Sequence, residues 1–288
     1  MNSIFSAEVI ANYLPIIFVG ILGLIIGSFL NVLILRYNTG KGFGGRSMCF
    51  SCRRQLTSID LVPLLSFLGF KGRCRTCKSK ISPQYILVEI ITALFFIAAY
   101  IHNVALFGSA SQGSFSILFI IKLATDFTIM SLLVSMVAYD IRHKIIPDIA
   151  VVLFGILALI SQFALGNLDW RLFIAGPILA LPFYLIWLLS QGRWMGLGDA
   201  KLVIGFGWML GLSAGATAII FGFWFGAIIS VLLIAIQRIT NLEKVRRWTR
   251  SLHIPRLNMK SEIPFAPFLI AGLLIVYILG YNLFTFSL

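Results

Sequence analysis

Long apolar stretches recur along this chain and limit its architecture more than any single motif. We read eight, at roughly 10–35, 85–101, 115–139, 149–165, 172–190, 199–211, 214–236 and 264–286. A membrane-crossing helix needs about 20 mostly apolar residues. The first stretch is longer than that and the sixth is shorter. Charged residues make up 11% of the 288, against about 25% in a soluble domain. A soluble globular fold is excluded, and the pattern predicts an all-α polytopic membrane protein with about eight transmembrane helices.

The net charge of +13 would suit a nucleic-acid partner if it were spread over one surface, but its placement serves another purpose. With the N-terminus outside, the inner segments are 36–84, 140–148, 191–201 and 237–263, and they hold 21 of the 23 Lys and Arg residues. Only Lys122 and Arg171 fall elsewhere. Positive charge collects on the cytosolic side of membrane proteins, so the charge fixes orientation, with anionic lipid as a contact, and no nucleic-acid partner is expected. Residues 1–20 carry no Lys or Arg, so the basic start of a cleavable signal is missing and the first span is expected to stay as an N-out helix. The basic stretch 237–263 reads equally as a surface-lying amphipathic helix or a solvated linker.

Three parts follow: a first transmembrane helix over 1–35, a polar cytosolic module over 36–84, and a transmembrane domain over 85–288. Gly23 and Gly27 form a small-xxx-small pair in the first span, which lets a second helix approach closely. All four cysteines lie in the module, as Cys49-x2-Cys52 and Cys74-x2-Cys77. Two such knuckles supply a tetrahedral four-thiolate shell, the pattern of a structural zinc site. Forty-nine residues with little apolar content need such a metal to stay folded. Two disulfides are the alternative reading, disfavoured by a reducing cytosol.

Ten acidic residues can be weighed one by one. Asp140 closes the third span and opens a turn ending at Pro147, with Asp148 at the start of the fourth helix, where the helix dipole suits a carboxylate. Asp199 lies in Gly196-Leu-Gly198-Asp199-Ala-Lys201, at the inner start of the sixth span. It can be a helix cap or half of a dyad with Asp140 at the same membrane face. Two adjacent carboxyls share a proton, and one can then activate water while the other protonates the leaving group. The flanking glycines would leave room for an extended substrate. Within the third span Asp126 follows Lys122 by four residues, which suits an internal ion pair, although an intramembrane carboxylate is also a functional candidate. Glu89 is placed either to anchor a helix end or to line a binding cavity. Neither a histidine metal-hydrolase pattern nor a Gly-x-Ser-x-Gly elbow occurs.

Several segments together resemble the bacterial type IV prepilin peptidases: Gly27-Ser-Phe-Leu-Asn31 through Arg36, the paired knuckles, Pro63 to Ser66, Tyr85 to Glu89, Asp140 through Asp148, and the GxGD box ending at Asp199. The resemblance covers most of the chain and departs from the usual pattern at Phe50, where proline is common. It implies an aspartic endopeptidase of the bacterial inner membrane with Asp140 and Asp199 as catalytic residues. It also implies prepilin and pseudopilin substrates cut after Gly on the cytosolic face, and methylation of the new N-terminus by S-adenosylmethionine. Gly196, Gly198 and Lys201 would then border the substrate, Glu89 is the candidate contact for the methyl donor, and Cys49, Cys52, Cys74 and Cys77 hold zinc. A peptidase without methyltransferase activity, or a non-enzymatic membrane scaffold, are the alternatives.

Overall fold

The computed structural model describes residues 7–39, 44–108, 117–167, 169–240 and 264–284. The basic stretch 237–263 lies almost wholly outside the described residues. Among the described residues eight helices follow in order: α1 (Ala7–Arg36), α2 (Leu65–Gly69), α3 (Gln84–Gly108), α4 (Ile117–His143), α5 (Asp148–Ala164), α6 (Trp170–Ser190), α7 (Leu197–Thr240) and α8 (Ala266–Leu279), with a 3-10 turn at Ser58–Leu61. Among the described residues extended structure is limited to two isolated bridges, Met48 with Gln55 and Arg73 with Lys80.

Among the described residues five helical segments are long and apolar enough to cross a membrane: Tyr13–Arg36, Gln84–Gly108, Ile117–His143, Trp170–Ser190 and Leu197–Ile236. Asp148–Ala164 and Ala266–Leu279 are apolar but shorter. The expected sixth and seventh spans fall within α7, which is broken at Gly211 with φ 79° and ψ −177°. That left-handed φ favours glycine. A Cβ on Gly215 would lie 3.5 Å from the Phe206 carbonyl oxygen. A straight helix would separate those residues by about 13 Å, so the chain turns back on itself at this break.

Two compact units form, one from Met1–Tyr139 with Val152–Leu168, the other from Asp140–Val151 with Asp169–Leu288. In the first, α1 packs on α3, and the close approach expected at Gly23 and Gly27 is present. A Cβ on Gly23 would sit 2.6 Å from Ala93 Cα, and one on Gly27 2.7 Å from Glu89 Cα. Asn31 Nδ2 pins the same pair of helices by donating to Gly27 O and to Tyr85 O at 3.2 and 3.0 Å. In the second unit α7 packs against α6 and α8, again through glycine. A Cβ on Gly176 would meet Ile204 O at 2.7 Å, and one on Gly222 would meet Leu269 Cα at 2.9 Å. Small residues are what allow backbones to pack this closely in lipid.

Candidate active site and metal centre

Asp140 and Asp199 belong to the same unit and are buried, at 5% and 9% exposure. Their side chains lie near enough for Asp199 to feel the charge of Asp140. Asp140 sits in the last turn of α4, and its carbonyl accepts the Lys144 N–H at 2.7 Å. Its carboxyl accepts the main-chain N–H of Ala266, the first residue of α8. A helix N-terminus therefore points at this carboxylate, with the free donors and positive dipole end that favour an anion. Oδ2 of Asp140 is buried without a hydrogen-bond partner among the described residues, and a buried polar atom in that state calls for an explanation. Ala266 carries no chemistry in its side chain, so sequence reasoning had no means of finding it beyond the helix start marked by Pro267.

Asp199 is the third residue of α7 rather than its cap, and its N–H donates to Gly196 O at 3.3 Å. Gly196 and Gly198 do not use glycine's left-handed freedom. Gly198 is small for another reason: a Cβ there would lie 3.3 Å from both Cβ and Cδ1 of Ile146. The absent side chain lets the GxGD turn close on the loop that follows Asp140. Lys201 Nζ donates to Asp148 Oδ1 at 2.7 Å, with both side chains substantially exposed. This bond joins the first turn of α7 to the first turn of α5.

Glu89 belongs to the other unit and is buried. Its Oε2 accepts the Leu64 N–H at 2.8 Å, and the Ser28 side chain lies near its carboxyl. Leu64 has φ 61°, a strained conformation for a branched side chain, and it immediately precedes α2. Asp126 forms the expected ion pair with Lys122, both wholly buried. It also accepts from Asn103 Nδ2 at 2.8 Å and Ser161 Oγ at 2.9 Å, so one carboxylate links α3, α4 and α5 within the first unit.

The cysteine cluster is assembled by two copies of one turn, 25 residues apart. Cys49 N donates to Arg54 O and Arg53 N to Cys49 O, both at 2.9 Å; Cys74 N donates to Ser79 O at 2.9 Å and Lys78 N to Cys74 O at 3.0 Å. Arg53 and Lys78 are left-handed at φ 56° and 58°. Arg54 ties the copies together, donating to Thr76 Oγ1 at 2.5 Å and pairing with Asp60. The Asp60 carboxyl is held below the usual carboxylate range, first by the Thr57 N–H and then by the Thr57 hydroxyl and Arg54.

All four sulfur atoms lie within 4.8 Å of one another, and none is in a disulfide. Cys49 Sγ is 3.8 Å from Cys77 Sγ. Tetrahedral zinc with metal–sulfur bonds of about 2.3 Å requires sulfurs roughly 3.8 Å apart, whereas a disulfide requires about 2.05 Å. The donor set fits a four-thiolate metal ion. The Cys49 thiol is lowered to about 6, first by the N–H groups of Cys52 and Ser51. Cys77 is lowered chiefly by the Ser79 hydroxyl and N–H. Both shifts favour the thiolate form that binds metal, whereas Cys52 is pushed up to about 11, the Arg54 N–H being outweighed by desolvation and the neighbouring thiols.

Two family models match. Residues 21–103 match the bacterial peptidase A24 N-terminal domain and residues 127–231 the type IV leader peptidase family. A prepilin leader peptidase/N-methyltransferase of Bacillus subtilis is 30% identical over 92% of this chain and 95% of its own length. One of Myxococcus xanthus is 32% identical over 76% of this chain and 63% of its own length, and one of Legionella pneumophila is 29% identical over 90% of each. No solved structure matches.

Proposed function

Since the chain belongs to the type IV leader peptidase family, we propose that Asp140 and Asp199 are the catalytic pair of a membrane endopeptidase that removes the leader of type IV prepilins and pseudopilins. As a prepilin peptidase, it resembles relatives named for a second activity, N-methyltransferase. The observation that carries the catalytic reading is the buried pairing of these carboxylates, one of which keeps an oxygen without a hydrogen bond.

In the mechanism we favour, one carboxyl is protonated and the other ionised. The ionised group takes a proton from a water molecule as the water oxygen bonds to the scissile carbonyl carbon. The protonated group stabilises the carbonyl oxygen, and a proton then passes to the departing amine as the C–N bond breaks. The nearby Ala266 N–H would help to orient Asp140. Gly196 would leave room for the extended backbone around the scissile bond, cut after a Gly on the cytosolic side of the bacterial inner membrane, whereas the space at Gly198 is taken by Ile146. Lys201 acts by holding Asp148 and so fixing the GxGD turn.

Zinc is the metal we assign to Cys49, Cys52, Cys74 and Cys77. It would supply a closed structural shell that holds the two knuckles together, with no part in hydrolysis. S-adenosylmethionine is the implied methyl donor, but the carboxylate of Glu89 is engaged by Leu64. We assign the functional parts as a first helix over 1–35, a zinc module over 36–84 and a peptidase domain over 85–288, a division that differs from the two compact units.

Purified protein incubated with a prepilin and labelled S-adenosylmethionine tests both activities. Cleavage after the leader Gly with label on the new N-terminus is the expected result. Intact prepilin would refute the peptidase reading, and clean cleavage without label would refute methylation.

A further inference from the structure

Between the knuckles the chain carries a row of large apolar side chains that nothing described covers: Ile59, Leu61, Val62, Leu65 and Leu68 are all exposed. A short polar, metal-held module gains nothing by showing these to water, and contiguous exposed apolar surface marks an interaction site. Their position relative to α3 identifies what covers them. Leu64 N is bonded to Glu89 Oε2. Glu89 lies five residues into α3, about 7.5 Å along its axis, and a helical side chain leans back toward the N-terminus. The backbone of α2 therefore runs beside the opening turns of α3 rather than beyond its end. Those turns are already apolar, and Leu87 is exposed there as well.

The charge around this face is one-sided. Residues 44–83 contain eight Lys and Arg and a single acid, Asp60. Even with a metal ion and four thiolates contributing two negative charges, the module stays strongly positive. Such a surface attracts anionic headgroups. Apolar side chains on one side with cations around them are the pattern of an element lying in a membrane interface.

We propose that the 3-10 turn and α2, residues 58–69, lie in the headgroup region of an anionic bilayer, inserting Leu65 and Leu68 while the knuckle cations contact lipid phosphates. Glu89 then works as the tether that sets the depth of this segment. The proposal stands apart from the peptidase reading and does not depend on it.

The test places the photocrosslinking residue p-benzoylphenylalanine at position 65 or 68 of the full chain. The protein is reconstituted in nanodiscs of phosphatidylglycerol or of phosphatidylcholine, irradiated, and digested for mass spectrometry. Both positions are exposed, so the substitution leaves packing alone, and prepilin cleavage by the same samples checks the fold. Phospholipid adducts at both positions are expected, at least about twofold more abundant in the anionic lipid. Adducts only to protein, including a second copy of the chain, or no adducts at all, would overturn the proposal. Equal yields in the two lipids would overturn it too, because the basic surround would then have no role.

Discussion

Lys201 Nζ lies 2.7 Å from Asp148 Oδ1, joining the residue two places beyond Asp199 to the carboxylate eight places beyond Asp140. The two Asp-bearing turns are thus fastened to each other beside the proposed catalytic pair. With 40% and 69% of the side chains exposed, the ion pair is worth no more than about 1 kcal/mol. Lys201→Ala is accordingly expected to slow cleavage by less than about tenfold, and Asp148→Asn by a similar factor. Initial rates of prepilin cleavage measure this, and a thousandfold loss in either variant would mean that the residue does more than clip the turns together.

The tether at Glu89 makes a different forecast. In Glu89→Ala the Leu64 N–H loses its acceptor while Leu64 keeps its strained backbone, a loss of about 1–3 kcal/mol. Limited proteolysis should cut residues 58–69 faster in this variant, whereas Glu89→Gln, which retains an acceptor oxygen, should fall between it and the parent. Equal cleavage of all three would remove Glu89 from this role.

The metal centre predicts one zinc per chain by elemental analysis of reduced protein. Cys74→Ser, at the buried ligand, should lose the metal and open both knuckles to protease. Finding the parent folded without metal would refute the four-thiolate site.

Asp60 bears on the same centre through pH. Its folded carboxyl is lowered, so the stability it contributes is complete above the ordinary carboxylate range and is lost as pH falls through the folded value. The Asp60→Asn variant should release zinc to a chelator faster than the parent, by a ratio that stays constant from about pH 5 to pH 8 because Asp60 remains ionised across that window. A ratio that changes across it would show that Asp60 titrates there.

At Asp126 the whole network can be weighed. Removing the carboxylate in Asp126→Ala leaves the buried Lys122 charge uncompensated, a loss of about 3–5 kcal/mol. The double variant Lys122→Met/Asp126→Leu should recover most of the lost thermal stability. If the double variant is no better than the single, the charges serve a purpose beyond neutralising each other.

What the sequence revealed follows the reach of each interaction. The Lys122–Asp126 pair was legible because four residues is one helical turn, and the cysteine cluster because each knuckle is local and the two repeat. The close packing at Gly23 and Gly27 was legible from residue size. Pairing across long separations was not: Leu64 with Glu89, Asp148 with Lys201, and the addition of Asn103 and Ser161 to Asp126 depend on which helices pack together. The close approach of Gly198 to Ile146 was not legible either, since it depends on how the loop after Asp140 folds back onto the GxGD turn. The Ala266 N–H at Asp140 had no signal at all, because a main-chain donor is the same in every sequence. Beyond the cysteines, the shared backbone turn of the two knuckles was not legible, because most of their other side chains differ.

The central claim is that Asp140 and Asp199 perform the cleavage. The most direct measurement is the rate of prepilin cleavage by Asp140→Asn and by Asp199→Asn, each purified in folded form and compared with the parent. Asparagine keeps the shape and removes the ionisable proton, so each change should reduce the rate by several orders of magnitude. Cleavage near the parent rate by either variant would contradict the account.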